Sequence, residues 1–533
     1  MPQPTFSGAK SNGIHYKDDL SKCKEVLMIA KVLSAAIYGI SAYPVDIEVD
    51  ISNGLPQMNI VGLPDQSIKE SKERIRSAIK NSGYSFPGDR ITINLAPADI
   101  KKEGPAFDLA MALGILTAGG IIPPEKVQNH TFLGELALDG SLRPVQGAVV
   151  IASSLQKAGS IILPYENAFE ALLEKQTTVY PARSLKEVVD FLLGEIRLSL
   201  PDHARTNSGT YLPKSSVDFS EVHGQLFAKR AIEIAVAGNH NLLFIGPPGS
   251  GKTMLSRRIP SILPPLEFEE AVEITKIYSV AGLNSNGGAL TRERPFRAPH
   301  YSISPVALIG GGSWPKPGEI SLAHGGVLFL DEFPEFRRDV LESLRSPLEE
   351  GDILIARAKM QVTYPARILL VAAMNPCPCG HLNDPKKACR CSLAQIQKYQ
   401  HKISGPILDR IDLHVEIGPL PFQALVGAEP AESSQAIRER VLACRESQKN
   451  RYGGKLFRFN ANMSPRDIKQ FAHPDNEGKK LLEMAMRELR LSARAYYKIL
   501  KIARTISDLA NSEQIQSEHI AEAIQYRSLD RQW

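Results

Sequence analysis

One glycine-rich turn carries the residue types that bind phosphate. Its members are Gly246, Pro247, Pro248, Gly249, Ser250, Gly251, Lys252 and Thr253. Glycines let backbone N–H groups point inward at phosphate oxygens, the Lys252 ammonium reaches the β- and γ-phosphates, and the Thr253 hydroxyl ligates Mg²⁺. The motif G-x4-G-K-[ST] is expected by chance in about two per cent of chains of this length, and an ordinary glycine turn is the alternative. The turn therefore predicts a site for a nucleotide, ATP, together with Mg²⁺.

Two adjacent carboxylates, Asp331 and Glu332, end the apolar run 327–330. We expect Asp331 to hold the Mg²⁺ shell and Glu332 to orient and deprotonate an attacking water. A protein that only senses a nucleotide needs no second acid, so the pair favours hydrolysis. The alternative is that both are solvated acids at the end of a strand.

Two further polar residues have types suited to a γ-phosphate. Asn375 ends a third apolar run, 368–374, and is predicted to hold the lytic water. Arg410 lies among apolar residues just before another strand-like run, and an arginine from a neighbouring subunit can neutralise charge that develops on the γ-phosphate. A local salt bridge of Arg410 with Asp409 or Asp412 is an equally open interpretation.

Four of the six cysteines stand as two C-x-C pairs on one short segment. They are Cys377, Cys379, Cys389 and Cys391. Four thiolates on a short loop suit a tetrahedral Zn²⁺, which would clamp a loop that has no core of its own. Reduced free thiols or a redox-labile pair are the alternative.

The short apolar runs beside these residues read as buried strands, and the rest of the chain divides around them. We expect a disordered extension at 1–28, an α/β or α+β domain at 29–195, a linker at 196–217, a motor core at 218–420 and a helical lid at 421–533.

Composition sets the broad class. The chain has 533 residues, is 43% apolar and 23% charged, and carries a net charge of +5, which suits a globular protein of three or four domains. No apolar run is long enough to span a bilayer and the N-terminus does not read as a signal peptide, so we expect a cytoplasmic protein without a membrane partner.

Three longer segments resemble a known family. Residues 294–300, 319–332 and 375–380 are similar to the YifB/ComM family of magnesium-chelatase-like AAA+ ATPases, and the likeness runs from about Ile29 to the C-terminus. The resemblance implies an α/β fold class: an AAA+ P-loop ATPase core with a helical lid, preceded by a Lon-protease-like α+β domain. It also implies that Arg494, in the lid, is the second-sensor arginine that contacts the γ-phosphate.

The N-terminal segments 102–110 and 140–150 resemble those that carry the nucleophilic serine and the general-base lysine of Lon proteases. In this chain Ala106 and Val149 occupy these positions. A methyl group cannot attack a carbonyl and valine cannot take a proton, so we expect the fold without the proteolysis. An assembly collar or a platform that contacts substrate is the expected role.

The segment 353–364 alternates like a β-hairpin, with Arg357 and Lys359 near its tip. Resemblance to AAA+ rings with such an insertion implies that both grip DNA phosphates in a central channel; a solvated turn is the alternative. The resemblance thus implies a hexameric DNA motor, a helicase that drives branch migration of recombination intermediates during natural transformation. A chelatase-type ATPase that remodels a protein partner is the alternative, and Ala106 and Val149 argue against a protease.

Overall fold

The computed structural model describes residues 29–154, 159–200, 217–284, 290–312, 314–357, 360–382, 384, 387–419, 431–489 and 491–527. The predicted extension at 1–28, most of the predicted linker, and Lys359 lie outside these residues. Within the described ranges, no helix is both long and apolar enough to cross a membrane.

A seven-stranded sheet with flanking helices forms the N-terminal part. Its strands are β1 (Ile29–Tyr38), β2 (Ser41–Ser52), β3 (Gln57–Val61), β4 (Arg90–Ala96), β5 (His130–Phe132), β8 (Ser160–Pro164) and β9 (Thr178–Ala182), in the order β3-β4-β2-β1-β5-β8-β9, and β6 (Glu135–Leu136) with β7 (Leu142–Arg143) forms a separate hairpin. The helices are α1 (Gln66–Asn81), α2 (Asp108–Ala118), α3 (Ala148–Ser154), α4 (Ala168–Ala171) and α5 (Leu185–Leu193). Every residue of α2 is buried, as expected for a helix that is apolar all round.

A second, five-stranded sheet forms the middle of the chain. Its strands are β10 (Leu242–Ile245), β11 (Phe296–Arg297), β14 (Val327–Leu330), β17 (Leu369–Met374) and β18 (Leu413–Glu416), in the order β11-β14-β17-β10-β18 with parallel pairing throughout. β10, β14 and β17 are buried along their whole length, which explains why they read as continuous apolar runs.

Short helices and two hairpins connect these strands. The helices are α6 (Leu226–Gly238), α7 (Lys252–Arg258), α8 (Phe268–Val280), α9 (Pro305–Ile309), α10 (Glu319–Leu322), α11 (Arg338–Glu342), α12 (Arg345–Glu350), α13 (Leu393–Gln400) and α14 (Gly405–Leu408). The hairpins are β12 (Gly310–Gly311) with β13 (Lys316–Pro317), and β15 (Asp352–Arg357) with β16 (Met360–Pro365). The second hairpin is the one that the alternation of 353–364 indicates.

The C-terminal part is helical. It contains α15 (Ser434–Arg451), α16 (Pro465–Phe471), α17 (Asn476–Glu488), α18 (Ala493–Leu509) and α19 (Ser517–Gln525). Side chains of α15 and α18 share one apolar cluster with β10 and α6, so this helical part and the five-stranded sheet have a common core.

The N-terminal part packs on the middle part at two places. At the first, the backbone N–H of Gly147 donates to Ser279 Oγ (2.9 Å), and Lys276 pairs with Glu174 (2.8 Å). At the second, the Tyr38 hydroxyl bonds both the carbonyl (2.7 Å) and the N–H (3.1 Å) of Gln361 in β16. The β15–β16 hairpin is therefore fastened to the N-terminal sheet.

Candidate functional site

The carboxyl edge of the five-stranded sheet gathers the residues predicted to act on a nucleotide. Carboxyl ends of parallel strands meet at one edge, so the turn after β10, the acids after β14 and Asn375 after β17 lie side by side. In the sheet order, β17 stands between β14 and β10, which puts Asn375 between the carboxylates and the phosphate turn.

The turn after β10 needs its glycines. Gly249 and Gly251 have φ of 76° and 93°, in the left-handed region that other residues rarely adopt. A Cβ on Gly246 would lie 2.3 Å from the carbonyl oxygen of Ile417, so the backbone approaches too closely for any side chain. Helix α7 begins at Lys252, and the turn therefore points backbone N–H groups at a common centre.

Lys252 is folded over this turn. Its Nζ donates to the carbonyl oxygens of Gly246 (2.7 Å) and Pro247 (2.9 Å) and to Asn375 Oδ1 (3.2 Å). Burial lowers the pKa of Lys252, while Asp331 acts in the opposite direction. Two residues that are 123 positions apart in the sequence, the lysine and the amide, are thus brought into contact.

The two predicted Mg²⁺ ligands also touch each other. Thr253 Oγ1 donates to Asp331 Oδ2 over 2.7 Å, and Asp331 Oδ1 accepts from the backbone N–H of Glu332 over 2.9 Å. In an octahedral Mg²⁺ shell, neighbouring ligand oxygens lie about 2.9 Å apart. The Thr253–Asp331 pair therefore fits two adjacent positions of such a shell.

Two features of this edge are typical of functional sites. The Ser250 hydroxyl of the turn is buried and has no hydrogen-bond partner among the described residues, as expected for a donor meant for a phosphate oxygen. Glu332 has φ of 53° in an exposed position, a conformation that is uncommon for a residue with a side chain and that clusters at functional sites.

The four clustered cysteines converge on one point. The sulfur of Cys377 lies 3.4 Å from that of Cys379 and 3.7 Å from that of Cys389, and Cys379 and Cys389 are 3.6 Å apart. All four sulfurs, including that of Cys391, lie within 4.8 Å of one another. A tetrahedron of thiolates with bonds of about 2.3 Å to a central Zn²⁺ has edges of about 3.8 Å. The donor set and its spacing fit this metal.

The cysteine segment packs against the phosphate turn. A Cβ on Gly380 would lie 2.5 Å from Cδ of Pro248, so the two segments meet with no room for a side chain. Backbone N–H groups of Arg390 and His381 lower the pKa of the Cys379 thiol to about 6, whereas burial and the neighbouring sulfurs raise the pKa of Cys389 and of Cys391. The His381 ring bonds Asp384 (2.8 Å), in keeping with a shell completed by sulfur alone.

Arg410 and Arg494 lie at the opposite, amino edge of the sheet. Arg410 precedes β18, and its carbonyl oxygen accepts from Asn241, the residue before β10. Arg494 pairs with Asp409 (3.0 Å) and is exposed. Both arginines thus lie beside the amino ends of strands whose carboxyl ends carry the chain's own phosphate turn.

Arg410 is paired, but with a residue that sequence reasoning missed. Its Nη2 contacts Oε1 of Glu349 near the end of α12. Of the two local partners considered, Asp409 binds Arg494 and Asp412 binds Lys498 (3.0 Å). No motif marks Glu349, which is 61 residues from Arg410 in the chain and meets it only in the fold.

The two hairpins that interrupt the sheet pack together. Tyr364 of β16 donates its hydroxyl hydrogen to the Pro315 carbonyl (2.7 Å), and a Cβ on Gly310 would lie 2.8 Å from Cδ1 of Ile355. Arg357 is exposed at the end of β15, with its guanidinium beside Gly311. The structure therefore presents Arg357 to solvent on a supported hairpin.

The predicted counterparts of the Lon catalytic residues are structural. Ala106 lies in the short turn of helix before α2, and its carbonyl oxygen accepts from the N–H of Gly134 (2.9 Å). Val149 is fully buried in α3, in an apolar cluster that includes Val280 of α8. Val149 thus contributes to the packing of the N-terminal part on the middle part.

Three family models match the chain. Residues 218–425 match magnesium chelatase, subunit ChlI; residues 47–167 match subunit ChlI of Mg-chelatase; and residues 431–527 match the magnesium chelatase subunit ChlI C-terminal model. Competence protein ComM of Haemophilus influenzae is 44% identical over 508 residues, which are 95% of this chain and 98% of that protein. The uncharacterized protein YifB of Escherichia coli has the same identity and the same coverage of both chains.

Two weaker similarities are local. Lon protease 2 of Bacillus subtilis is 28% identical over 150 residues, 26% of each chain. The probable DNA helicase MCM9 of Arabidopsis thaliana is 26% identical over 179 residues, which cover 33% of this chain and 22% of that protein. Together with the parallel sheet, these matches confirm the predicted α/β class, with an AAA+ core, a helical lid and a Lon-like N-terminal part.

Proposed function

Because the chain belongs to the YifB/ComM family of magnesium-chelatase-like AAA+ ATPases, we propose that it is an ATP-driven DNA motor that works as a ring, with six copies as the expected number. Its action would be helicase-type branch migration of recombination intermediates in natural transformation. One observation carries the proposal: the phosphate turn and the arginines lie at opposite edges of one sheet, so a complete site needs two copies of the chain.

We propose that the carboxyl edge binds and hydrolyses ATP. The turn 246–251 and Lys252 hold the phosphates, and Thr253 and Asp331 hold Mg²⁺, which supplies positive charge to the phosphate oxygens. Glu332 takes the proton of the attacking water, and Asn375 orients that water. The contact of Lys252 with Asn375 supports this arrangement, since it places the water-holding amide beside the residue that reaches the γ-phosphate.

At the amino edge we propose that Arg410 and Arg494 act on the nucleotide of the neighbouring copy. A guanidinium that meets the γ-phosphate neutralises charge in the transition state. Arg345, Arg410 and Arg494 all lower the pKa of Glu349, and these arginines share the surface with three acids, Glu349, Asp409 and Glu342. A triphosphate held at the exposed edge of a second copy would compete with these acids for the guanidinium groups.

A zinc ion on the four cysteines is a further part of the proposal. Cys377, Cys379, Cys389 and Cys391 would hold it, and its effect would be structural, because four sulfurs leave no open position for a reacting molecule. The contact of Gly380 with Pro248 means that a metal here would stiffen the phosphate turn.

We propose that DNA is the substrate that the motor moves. Arg357 on the β15–β16 hairpin, with Lys359 from outside the described residues, would contact phosphates in the channel of the ring. Support comes from the exposure of Arg357, from the name competence protein of a relative that covers nearly the whole chain, and from the local similarity to a probable DNA helicase.

A chelatase-type remodelling ATPase that acts on a protein partner is the second candidate, favoured by the family models, which describe a magnesium chelatase subunit. We further propose the division into a Lon-like part at 29–195, a core at 218–420 and a lid at 421–533. The Lon-like part would be inactive in proteolysis, because Ala106 and Val149 carry no reactive group.

The deciding experiment measures ATP hydrolysis by the full chain with Mg²⁺ and forked DNA, single-stranded DNA or an unfolded protein. We expect forked DNA to stimulate the rate several-fold and the unfolded protein to leave it unchanged, with Glu332→Gln as the inactive control. Stimulation by the unfolded protein alone would favour the remodelling function, and an ATPase rate that no DNA changes would contradict the DNA motor.

A further inference from the structure

Arg410 is turned inward in the single chain. Only 12% of its side chain is exposed. Its Nη1 donates to the carbonyl oxygen of Pro406 in α14, the short helix that ends just before Arg410. The Nη2 group contacts Glu349, and the buried Nε has no hydrogen-bond partner among the described residues. In this position the guanidinium is not available to the nucleotide of another copy.

Glu349 holds this conformation from outside. Its side chain is 57% exposed, so it approaches Arg410 from the solvent side. The Arg410 guanidinium lowers the pKa of Glu349, and Arg494 and Arg345 act in the same direction, so the carboxylate is charged at neutral pH. Breaking an ion pair with an exposed carboxylate costs little free energy, because water then solvates the carboxylate.

We infer that Glu349 is a positioning residue that holds Arg410 away from the neighbouring subunit's triphosphate until the β15–β16 hairpin is displaced by DNA. The inference rests on the proposed function, since it needs Arg410 to act across a subunit boundary. A carboxylate and a phosphate compete for the same planar, two-pronged guanidinium, and the phosphate carries more negative charge. Arg410 therefore has two alternative partners, one in its own chain and one in the next.

The hairpin is joined to Glu349 by a very short path. Helix α12 ends at Glu350, one glycine follows, and β15 begins at Asp352. Gly351 has φ of 77°, and its carbonyl oxygen accepts from the N–H of Ala366 (2.7 Å), so the helix end and the hairpin base are one hydrogen-bonded unit. A shift of the exposed Arg357 end of β15 is thus transmitted to the last turn of α12.

The test is Glu349→Gln, which keeps the shape of the side chain and removes its charge. We expect its ATPase rate without DNA to rise several-fold toward the DNA-stimulated rate of the wild type, so that stimulation by forked DNA falls toward onefold. The KM for ATP should stay unchanged, since the phosphate turn is untouched. Glu350→Gln is the matched control: it alters the next residue of the same helix, which accepts from Ser346 instead, and should keep wild-type stimulation.

Arg410→Ala and the double variant Glu349→Gln with Arg410→Ala complete the experiment. We expect both to have the same low rate with and without DNA, because Glu349 acts only through Arg410. If Glu349→Gln hydrolyses ATP at the wild-type rates with and without DNA, or if both of these rates fall, the role of Glu349 is overturned. Either result would leave the proposed function in place. Full DNA-stimulated hydrolysis by Arg410→Ala would instead remove the shared arginine from the proposed function, and the inference with it.

Discussion

The two edges of the five-stranded sheet differ in what their side chains bind. At the carboxyl edge, Lys252, Asn375, Thr253 and Asp331 bond one another over 2.7 to 3.2 Å around the phosphate turn. At the amino edge, Arg410 and Arg494 bond acids, Glu349 and Asp409. The first edge has its polar side chains in place around the phosphate turn, whereas the second edge holds its cations in ion pairs within the chain.

Under the proposed function, this difference would let the two edges take part in one reaction at different times. Groups that are already in place save the cost of ordering when the ligand arrives. An arginine that is paired with an acid of its own chain can reach a phosphate only after it leaves that acid. Under the proposed function, hydrolysis would then depend on the neighbouring copy. The contrast between the carboxyl edge, whose groups are in place, and the amino edge, whose arginines are ion-paired, leads to the following expectations, from the largest effect to the smallest.

The largest effect is expected from Glu332→Gln, which changes the carboxyl edge alone. Loss of a general base lowers the rate by about 10²- to 10⁴-fold, while the phosphate contacts of Lys252 are untouched. Turnover should therefore fall with unchanged affinity for a fluorescent ATP analogue. Glu335→Gln, an exposed acid that pairs with Lys402 (3.1 Å), is the control, and wild-type hydrolysis by Glu332→Gln would exclude it as the base.

A smaller, structural effect is expected from Cys389→Ser. The purified wild-type chain should contain about one zinc per chain by elemental analysis, and the variant should lose the metal and melt several degrees lower. Cys444→Ala is the control, because Cys444 is buried in the lid away from the cluster and its change costs packing but no metal. Zinc-free wild-type protein that melts at the same temperature with and without added Zn²⁺ would contradict the site.

The smallest effect is expected from Arg357→Ala, which changes neither edge. Loss of one phosphate contact should weaken DNA binding a few-fold and reduce the slope of log affinity against log salt by about 0.9. Fluorescence anisotropy at several salt concentrations measures this slope, and basal ATPase should persist. Arg337→Ala, an exposed arginine paired with Asp339, is the control, and equal DNA affinity at every salt concentration would remove Arg357 from the DNA contacts.

The carboxyl edge was predictable because its residues follow apolar runs and carry type-specific chemistry. The turn 246–253, Asp331, Glu332 and Asn375 each stand at the end of a strand, and the parallel order brings them together. The β15–β16 hairpin was equally visible, as alternation is a local signal.

The amino edge was not predictable in the same way. Sequence proximity suggested Asp409 or Asp412 as the partner of Arg410, but the fold gives Asp409 to Arg494 and Asp412 to Lys498. The partner is Glu349, which reaches Arg410 only when α12 and α14 are placed on the sheet. Likewise, nothing local in the sequence shows that Gly380 packs on Pro248, since that contact depends on the path of the cysteine segment.

A mixing experiment tests the shared site most directly. Lys252→Ala lacks the phosphate contact but keeps its arginines, and Arg410→Ala keeps the turn but lacks the arginine. With forked DNA, Lys252→Ala alone should be inactive and Arg410→Ala alone should keep only its low, DNA-independent rate. In an equal mixture, about a quarter of the boundaries in a ring combine an intact turn with an intact Arg410, so we predict ATPase at up to about a quarter of the wild-type rate. A mixture that hydrolyses no more ATP than the two variants measured separately would contradict a site built from two copies of the chain.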